Sequence, residues 1–315
     1  MLQRAINSVL TAFNEQSLEI IVVPNGPDQN WHEVQRQYAQ DERIRWLPIS
    51  KSHACAARNH GLENSRGEFV RFLDDDDYLL PEAATQLEEM AALEADISTA
   101  PLVTVDNEGK FINTQMPPDT MDFQVAAFLS IAINNMTAGC IFRRTAIDGH
   151  RWREDVVLYD DYLWILGLAK TREYSWVRSH TPVGAYVEHD GSRLSRTRRS
   201  ARNSKPLVAA VIELQRHLFA NDRNTLERSH AAATALLTLA HSAFPASPFF
   251  LDSTIRKAKG ISFTATPLQP IFKKHPWLSE HLLTAEWAML PPRYLTRGYR
   301  RIMWSVGRLL SRWNP

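Results

Sequence analysis

The chain has 315 residues, with 36 Lys and Arg against 35 Asp and Glu, 44% hydrophobic residues and two cysteines. This length is enough for one large domain with an appendage or for two domains, and either can bury a core. The net charge of +1 excludes a global field for nucleic acid, and two cysteines exclude a disulfide framework, so a reducing compartment is expected.

The first third of the chain alternates between helical and extended patterns. An apolar stripe at helical spacing predicts a helix over 1–13 rather than a secretory signal, and no apolar window is long enough to span a bilayer. The next predicted elements are a strand at 19–23, a helix from 31, a strand at 44–48, a helix at 54–64, a strand at 68–73 and a helix from 81. This alternation predicts a mainly parallel sheet covered by helices, with ligands at the carboxyl ends of its strands.

The pattern changes in the following segment. Its predicted elements are strands at 97–105 and 110–113, a helix near 122–133, a strand at 138–142, a helix from Asp160 to Lys170, and strands at 174–177 and 183–187. A polar, basic stretch near 193–206 then predicts a domain boundary. The expected organisation is an α/β domain over 1–200 and a helical extension over 201–315.

Four consecutive carboxylates, Asp74 to Asp77, follow the strand predicted at 68–73. Adjacent carboxylates repel one another, and a divalent cation or ordered solvent can offset their charge. The run is therefore either a solvated acidic loop or a cation site. Its place at the carboxyl end of a strand favours the cation site.

Several sequence blocks resemble family 2 glycosyltransferases of the GT-A fold. They are Ala56 to Leu62 (AARNHGL), Ser65 to Asp77 (SRGEFVRFLDDDD), Leu2 to Leu10 with Glu19 to Val23, Tyr159 to Trp164 (YDDYLW), and Tyr186 to His189 (YVEH). The blocks occur in family order over roughly 1–195. The resemblance implies a GT-A sheet with flanking helices and a metal-assisted, inverting transfer of a sugar from a nucleotide-sugar to a hydroxyl.

The resemblance also implies roles for single residues. The implied nucleotide contacts are Asn25, Arg58, Asp74 and Asp75. The implied ligands of a divalent cation, Mn²⁺ or Mg²⁺, are Asp76, Asp77 and His189. Asp161 would be the general base, and Asp160 could share or exchange that role. Structural interpretations stay open for three of these residues, since Asp161 could only cap its helix, His189 could be an ordinary strand-end histidine, and Arg58 could pair on a helix surface.

Two departures from the family pattern affect the expected donor site. The V-S-V-I-I-P type of strand that usually precedes the first helix is absent ahead of the helix at 1–13, and the usual D-D-G-S is replaced by Pro24-Asn25-Gly26-Pro27. Asn25 can hydrogen-bond a base edge but carries no charge. The alternative is therefore a non-catalytic sugar-nucleotide or protein-binding module derived from the same fold.

The C-terminal segment 296–313 has the pattern of a basic amphipathic helix. It carries five arginines, no acidic residue and a Trp-containing apolar face, which fits an anionic membrane surface, although packing back onto the domain is the other interpretation. The expected location is cytoplasmic, peripheral on the inner face of the membrane. The expected partners are a nucleotide-sugar, with a UDP-sugar favoured, and a glycan or lipid-linked acceptor, without nucleic acid.

Overall fold

The computed structural model describes residues 1–14, 16–132, 136–156, 158–188 and 201–295. The chain divides into two compact units, Met1–Thr197 and Arg198–Pro315. None of the described helices combines the length and the hydropathy that crossing a membrane requires.

Helices and strands alternate from Leu2 to Val70, as the hydrophobic periodicity of this part predicts, and further along the first unit strands also follow one another directly. The described α-helices are α1 (Leu2–Ala12), α2 (Trp31–Gln37), α3 (Ala54–Glu63), α4 (Ala83–Ala92), α5 (Phe123–Leu129), α6 (Met136–Gly139) and α7 (Asp160–Thr171). The described strands are β1 (Ile20–Val22), β2 (Ile44–Trp46), β3 (Phe69–Val70), β4 (Tyr78–Leu79), β5 (Ile97–Thr99), β6 (Leu102–Asp106), β7 (Phe111–Gln115), β8 (Cys140–Arg143), β9 (Trp176–Arg178) and β10 (Gly184–Glu188).

The described strands form three sheets, with the orders β1-β2, β4-β10-β6-β7 and β3-β8-β5-β9. The pairs β1–β2, β10–β6 and β5–β9 are parallel, and the other described pairs are antiparallel. The prediction of a mainly parallel sheet is therefore wrong. Three features reverse the direction: β8 lies antiparallel between β3 and β5, β4 lies antiparallel to β10, and β7 returns beside β6 through a hairpin.

The apolar stretch predicted as one strand over 97–105 is two strands in different sheets. β5 pairs with β8 and β9, whereas β6 pairs with β10 and β7. Between them, the amide of Ala100 donates to Gly139 O at 2.9 Å, and Pro101 O accepts from Val183 N at 3.0 Å. Because proline has no amide hydrogen, a ladder cannot continue through Pro101, and the chain changes sheet there.

Helix α1 holds the chain that leaves the acidic run. Its apolar stripe is buried at Ala5 and Ile6, and Ala12 and Phe13 pack in a core cluster with Leu79. Leu79 N also donates to Ser8 Oγ at 3.0 Å. Strand β4, which the sequence did not predict, is therefore fixed directly against α1.

The second unit is helical over the residues that the structure describes, as predicted. Its helices are α8 (Ala201–Ala220), α9 (Leu226–Ala243), α10 (Pro248–Ile261), α11 (Pro270–Lys274), α12 (Trp277–Glu280) and α13 (Leu282–Ala288). Glu286 on α13 is fully buried. Its carboxylate lies 2.5 Å from His241 Nδ1 and accepts from Arg293 Nη1 at 2.7 Å, so the buried charge is compensated.

Candidate active site

Three carboxylates of the acidic run converge after β3. Oxygens of Asp74, Asp76 and Asp77 all lie within 4.8 Å of one another. A turn produces this arrangement, since Asp77 N donates to Asp74 O at 3.2 Å. Hard oxygen ligands at this spacing suit Mg²⁺ or Mn²⁺, so the residues fit a divalent cation.

Asp75 lies outside that group, but the charges of Asp74 and Asp76 affect its ionisation. Although the residue as a whole is exposed, desolvation of its carboxyl, together with the charges of Asp76 and Asp74, raises the pKa of Asp75 above its ordinary value. Like charges disfavour ionisation of a neighbouring carboxyl, and a bound cation would offset this repulsion.

Two other elements hold the acidic loop in place. Asp77 is 1% exposed, and its Oδ1 accepts from Val187 N of β10 at 3.0 Å, which compensates part of the cost of its burial. From α1, Arg4 Nη2 donates to Asp76 O at 2.6 Å, and the Arg4 guanidinium lies 4.8 Å from the centre of the Tyr78 ring. The sequence pattern had not singled out Arg4 or Val187, because both contacts depend on tertiary structure.

Arg58 on α3 joins the acidic loop to α7. Its Nη2 donates to Asp74 Oδ1 at 2.7 Å, and its Nη1 donates to Asp160 Oδ2. Burial opposes the positive charge, but the carboxylates of Asp74 and Asp160 outweigh it and raise the pKa of Arg58. The guanidinium also lies 4.6 Å above the Trp152 ring. Arg58 is thus a half-buried ion-pair partner and not an exposed helix-surface residue.

The next residue of α3 fixes the segment beneath Arg58. Asn59 Oδ1 accepts from Trp152 N at 2.8 Å, and its Nδ2 donates to Trp152 O at 2.9 Å. At the start of the helix, His53 Nδ1 accepts from Cys55 N at 3.2 Å and acts as the N-cap. The Arg-Asn pair of the predicted motif therefore has two functions, since Arg58 binds carboxylates and Asn59 holds the backbone of Trp152.

The two aspartates at the start of α7 have different partners. Asp160 Oδ2 accepts from Arg58 and from the Cys55 thiol at 3.5 Å. Burial and the Asp160 charge raise the pKa of the Cys55 thiol to about 12. Asp161 Oδ1 accepts from Tyr162 N at 2.7 Å, in a first turn where carboxylates interact favourably with the helix dipole. Tyr159, the residue before Asp160, has a left-handed backbone with φ of +60°.

Asn25 occupies a separate place at the end of β1. It is exposed and forms a parallel bridge with Ile49. The next residue, Gly26, has φ of +91°, and a Cβ there would lie 2.9 Å from Ser52 Oγ, so the turn favours glycine. His189 and the segment 296–313 lie outside the described residues. Of the predicted site residues, the structure brings together Arg58, Asp74, Asp76, Asp77 and Asp160, with Asp161 adjacent in the chain.

Comparisons with known proteins agree with this architecture. The chain is 28% identical over 176 residues to the GalNAc(5)-diNAcBac-PP-undecaprenol beta-1,3-glucosyltransferase of Campylobacter jejuni, covering 52% of this chain and 54% of that protein. It is 36% identical over 85 residues to the uncharacterised glycosyltransferase YibD of Escherichia coli, covering 27% and 24%. The chain thus spans about half the length or less of these curated relatives.

A solved structure extends the likeness beyond the first unit. S. aureus TarS 1-349 in complex with UDP-GlcNAc superposes with a TM-score of 0.56 at 15% identity, covering 82% of this chain and 84% of that chain. The GT-A fold predicted from the sequence is confirmed by this likeness. Residues 1–151 match the sequence profile described as Glycosyl transferase family 2. Over this part, the chain is similar to glycosyl transferase family 2.

Proposed function

We propose that the protein is a glycosyltransferase that moves a sugar from a nucleotide-sugar, most simply a UDP-sugar, to a hydroxyl group of a glycan or lipid-linked acceptor. The observation that carries this proposal is the Arg58 bridge, which places the acidic loop and the Asp160–Asp161 turn on opposite arms of one guanidinium. The family match over residues 1–151 supports the reaction class, the TarS complexes support UDP, and the Campylobacter relative supports a lipid-linked acceptor.

The carboxylates of Asp74, Asp76 and Asp77 would hold the divalent cation in the manner of a D-x-D motif, with His189 as a further ligand. Mn²⁺ or Mg²⁺ would offset the negative charge that develops on the departing diphosphate. Val187 N of β10 and Arg4 of α1 keep this acidic loop in place before the donor binds. Asn25, Arg58 and Asp75 would complete the nucleotide site.

Asp161 would act as the general base. The acceptor oxygen forms a bond to the anomeric carbon while the bond from that carbon to the diphosphate breaks, and the hydroxyl proton passes to the Asp161 carboxylate. Attack opposite the leaving group inverts the anomeric configuration. Asp160 is less suited to this role, because its Oδ2 already accepts from Arg58 and Cys55.

Thermal unfolding of the full chain with UDP, GDP or dTDP, each with and without Mn²⁺, tests the proposal. A ligand at about 100 times its dissociation constant stabilises the folded state by about 2.7 kcal/mol. We expect UDP to stabilise only with Mn²⁺, and Asp76→Asn to remove the effect. Asp148→Asn is the matched control, since Asp148 is an exposed carboxylate outside the acidic loop.

Turnover provides the second part of this test. Release of UDP from UDP-GlcNAc or UDP-glucose, with water or an added glycan as acceptor, would support an enzyme. If no nucleotide shifts the unfolding temperature and no donor is consumed, the non-catalytic binding module is the correct interpretation. Nucleotide binding without turnover would leave a sugar-nucleotide-binding module.

A further inference from the structure

The guanidinium of Arg58 makes ion pairs with carboxylates from two distant parts of the chain. Asp74 lies 16 residues away and Asp160 lies 102 residues away. The side chains of Arg58, Asp160 and Asp74 are 14%, 23% and 38% exposed, so both pairs are partly shielded from solvent. Removing one partner of such a bridge leaves a desolvated charge without compensation, which makes the bridge structurally significant.

The position of the guanidinium is itself fixed by packing. It lies over the Trp152 ring, and Trp152 stacks on Trp164 with centroids 4.5 Å apart and an interplanar angle of 12°. Trp164 belongs to α7, and Asn59 holds the Trp152 backbone from α3. The planar fork of Arg58 is therefore held against the same helix that carries Asp160 and Asp161.

The turn that Arg58 holds has an unfavourable backbone conformation. Tyr159, the N-cap of α7, has φ of +60° and ψ of 28°, a region that costs energy for a non-glycine residue. Such a conformation persists when surrounding contacts enforce it. The ion pair from Arg58 to Asp160, together with the Cys55 thiol, supplies contacts of this kind at the next residue.

We infer that Arg58 is a positioning residue, which sets the first turn of α7 relative to the acidic loop and thereby sets where Asp161 stands. In this assignment Asp160 acts only through Arg58 and takes no proton from the acceptor. The inference rests on the proposed function, since positioning matters for catalysis only if Asp161 is the base. It adds that the acidic loop and the α7 turn share one guanidinium, so only the loss of Arg58 removes both contacts.

The test is a double-mutant cycle on Arg58→Ala and Asp160→Ala in the full chain, read as release of UDP from UDP-GlcNAc and UDP-glucose. We expect each single variant to lower kcat at least tenfold, and the double variant to lose no more than the worse single variant, because the two residues act as one unit. Asp160→Ala should keep the wild-type KM for the donor and the acidic limb of the pH profile, on which the general base becomes protonated. Losses in kcat that multiply, or an unchanged kcat in Asp160→Ala, would overturn the inference.

Two further variants separate positioning from other roles. Arg58→Lys keeps the charge, but a single ammonium cannot reproduce the fork, so its kcat should lie between those of the wild type and Arg58→Ala. Arg43→Ala removes an exposed arginine that pairs with Asp41 outside the site, and it should leave kcat unchanged. If Asp160→Ala abolishes the pH dependence of kcat, Asp160 is the base and the assignment is wrong.

Failure of the proposed function is recognised independently. A wild-type protein that releases no UDP from either donor contradicts the enzyme. The unfolding temperatures of the same variants then test whether Arg58 and Asp160 act together. If the bridge fixes the α7 turn, the losses in unfolding temperature are non-additive with or without turnover. Additive losses in unfolding temperature would refute the bridge itself.

Discussion

Asp160 and Asp161 are neighbours of the same chemical type whose environments separate them. Asp160 accepts from the half-buried Arg58, whereas Asp161 Oδ1 accepts from the backbone amide of Tyr162. We expect Asp161→Asn to lower kcat by about 10² to 10⁴, the usual contribution of a general base, with Mn²⁺-dependent UDP stabilisation intact. UDP release and thermal unfolding on one preparation measure both. A variant with more than about half of the wild-type kcat would refute the assignment.

A second prediction concerns His150 and the pH dependence of stability. Burial lowers its pKa below the ordinary value, more than the hydrogen bond to Trp164 O at 3.0 Å raises it. Below about pH 6.5 the unfolded chain binds a proton that the folded His150 resists, so the free energy of unfolding should fall as pH decreases through that value. Above it both states are neutral and the effect disappears.

Urea denaturation between pH 5 and 8 measures this contribution. The control is His150→Gln, which removes the titrating group and should give a shallower loss of stability on the acidic side. An identical pH dependence in the variant and the wild type would contradict the prediction.

Sequence reasoning selected candidate site residues whose chemistry is visible in local patterns. The acidic run, the Arg58 motif and the Asp160–Asp161 pair could be selected because carboxylates and an arginine occur beside predicted strands and helices. The pairing of Arg58 with Asp74 and Asp160 could not be predicted, because it depends on the segment around Trp152 packing against α3. Arg4 was missed for the same reason, since its contact with Asp76 O spans 72 residues.

At the scale of elements, a buried polar network joins β3, α4, β5 and the segment before β8. Arg71 donates from Nη2 to Gln86 Oε1 and from Nη1 to Ala138 O at 2.8 Å. Gln86 Nε2 donates to Gly139 O at 3.0 Å and to Ser98 Oγ at 3.1 Å. Burial lowers the pKa of Arg71 to about 10. The side-chain amide of Gln86 therefore links Arg71, Ser98 and Gly139, which lie in three different parts of the chain.

Gln86→Leu tests this network, since leucine has a similar size but no polar group. The arginine and the Gly139 carbonyl would lose partners in a desolvated place, so we expect a loss of about 3 kcal/mol or more in the free energy of unfolding. Chemical denaturation followed by circular dichroism measures it. Gln40→Leu, at an exposed glutamine, should change stability by less than about 0.5 kcal/mol. Similar values for both variants would contradict a structural role.

Helices were more predictable than strand pairing. The helix from Asp160 to Lys170 was located almost to the residue, because its first-turn carboxylates and apolar spacing are local signals. Strand direction depends on partners far along the chain, so the antiparallel insertion of β8 and the change of sheet at Pro101 left no comparable local pattern.

At the scale of the whole molecule, charge is unevenly placed. The chain has a net charge of +1, yet the segment 296–313 has five arginines and no acidic residue. We propose that this segment attracts the protein to anionic membranes, consistent with a lipid-linked acceptor. In co-sedimentation with vesicles of phosphatidylcholine containing phosphatidylserine, replacing Arg297, Arg300 and Arg301 by Glu should abolish binding. Pure phosphatidylcholine vesicles should bind weakly, and 0.5 M salt should release the protein.

The same replacements should leave Mn²⁺-dependent UDP stabilisation unchanged, because the residues proposed to bind the donor, other than His189, lie in the described part of the first unit. Equal binding of wild type and variant to anionic vesicles would contradict the membrane proposal. Loss of UDP stabilisation in the variant would instead assign the segment to the donor site.

The separate β1–β2 sheet has a consequence for local opening. Each of its strands has three residues, and a two-stranded sheet is marginal alone, whereas β6 and β10 pair over five residues inside a four-stranded sheet. Amide deuterium exchange should therefore be faster at Ile20–Val22 than at Gly184–Glu188. Equal amide protection in the two strands would show that side-chain packing stabilises the β1–β2 pair. Since Asn25 follows β1, a donor bound there should slow exchange in this sheet, so affinity would include the free energy of closing it.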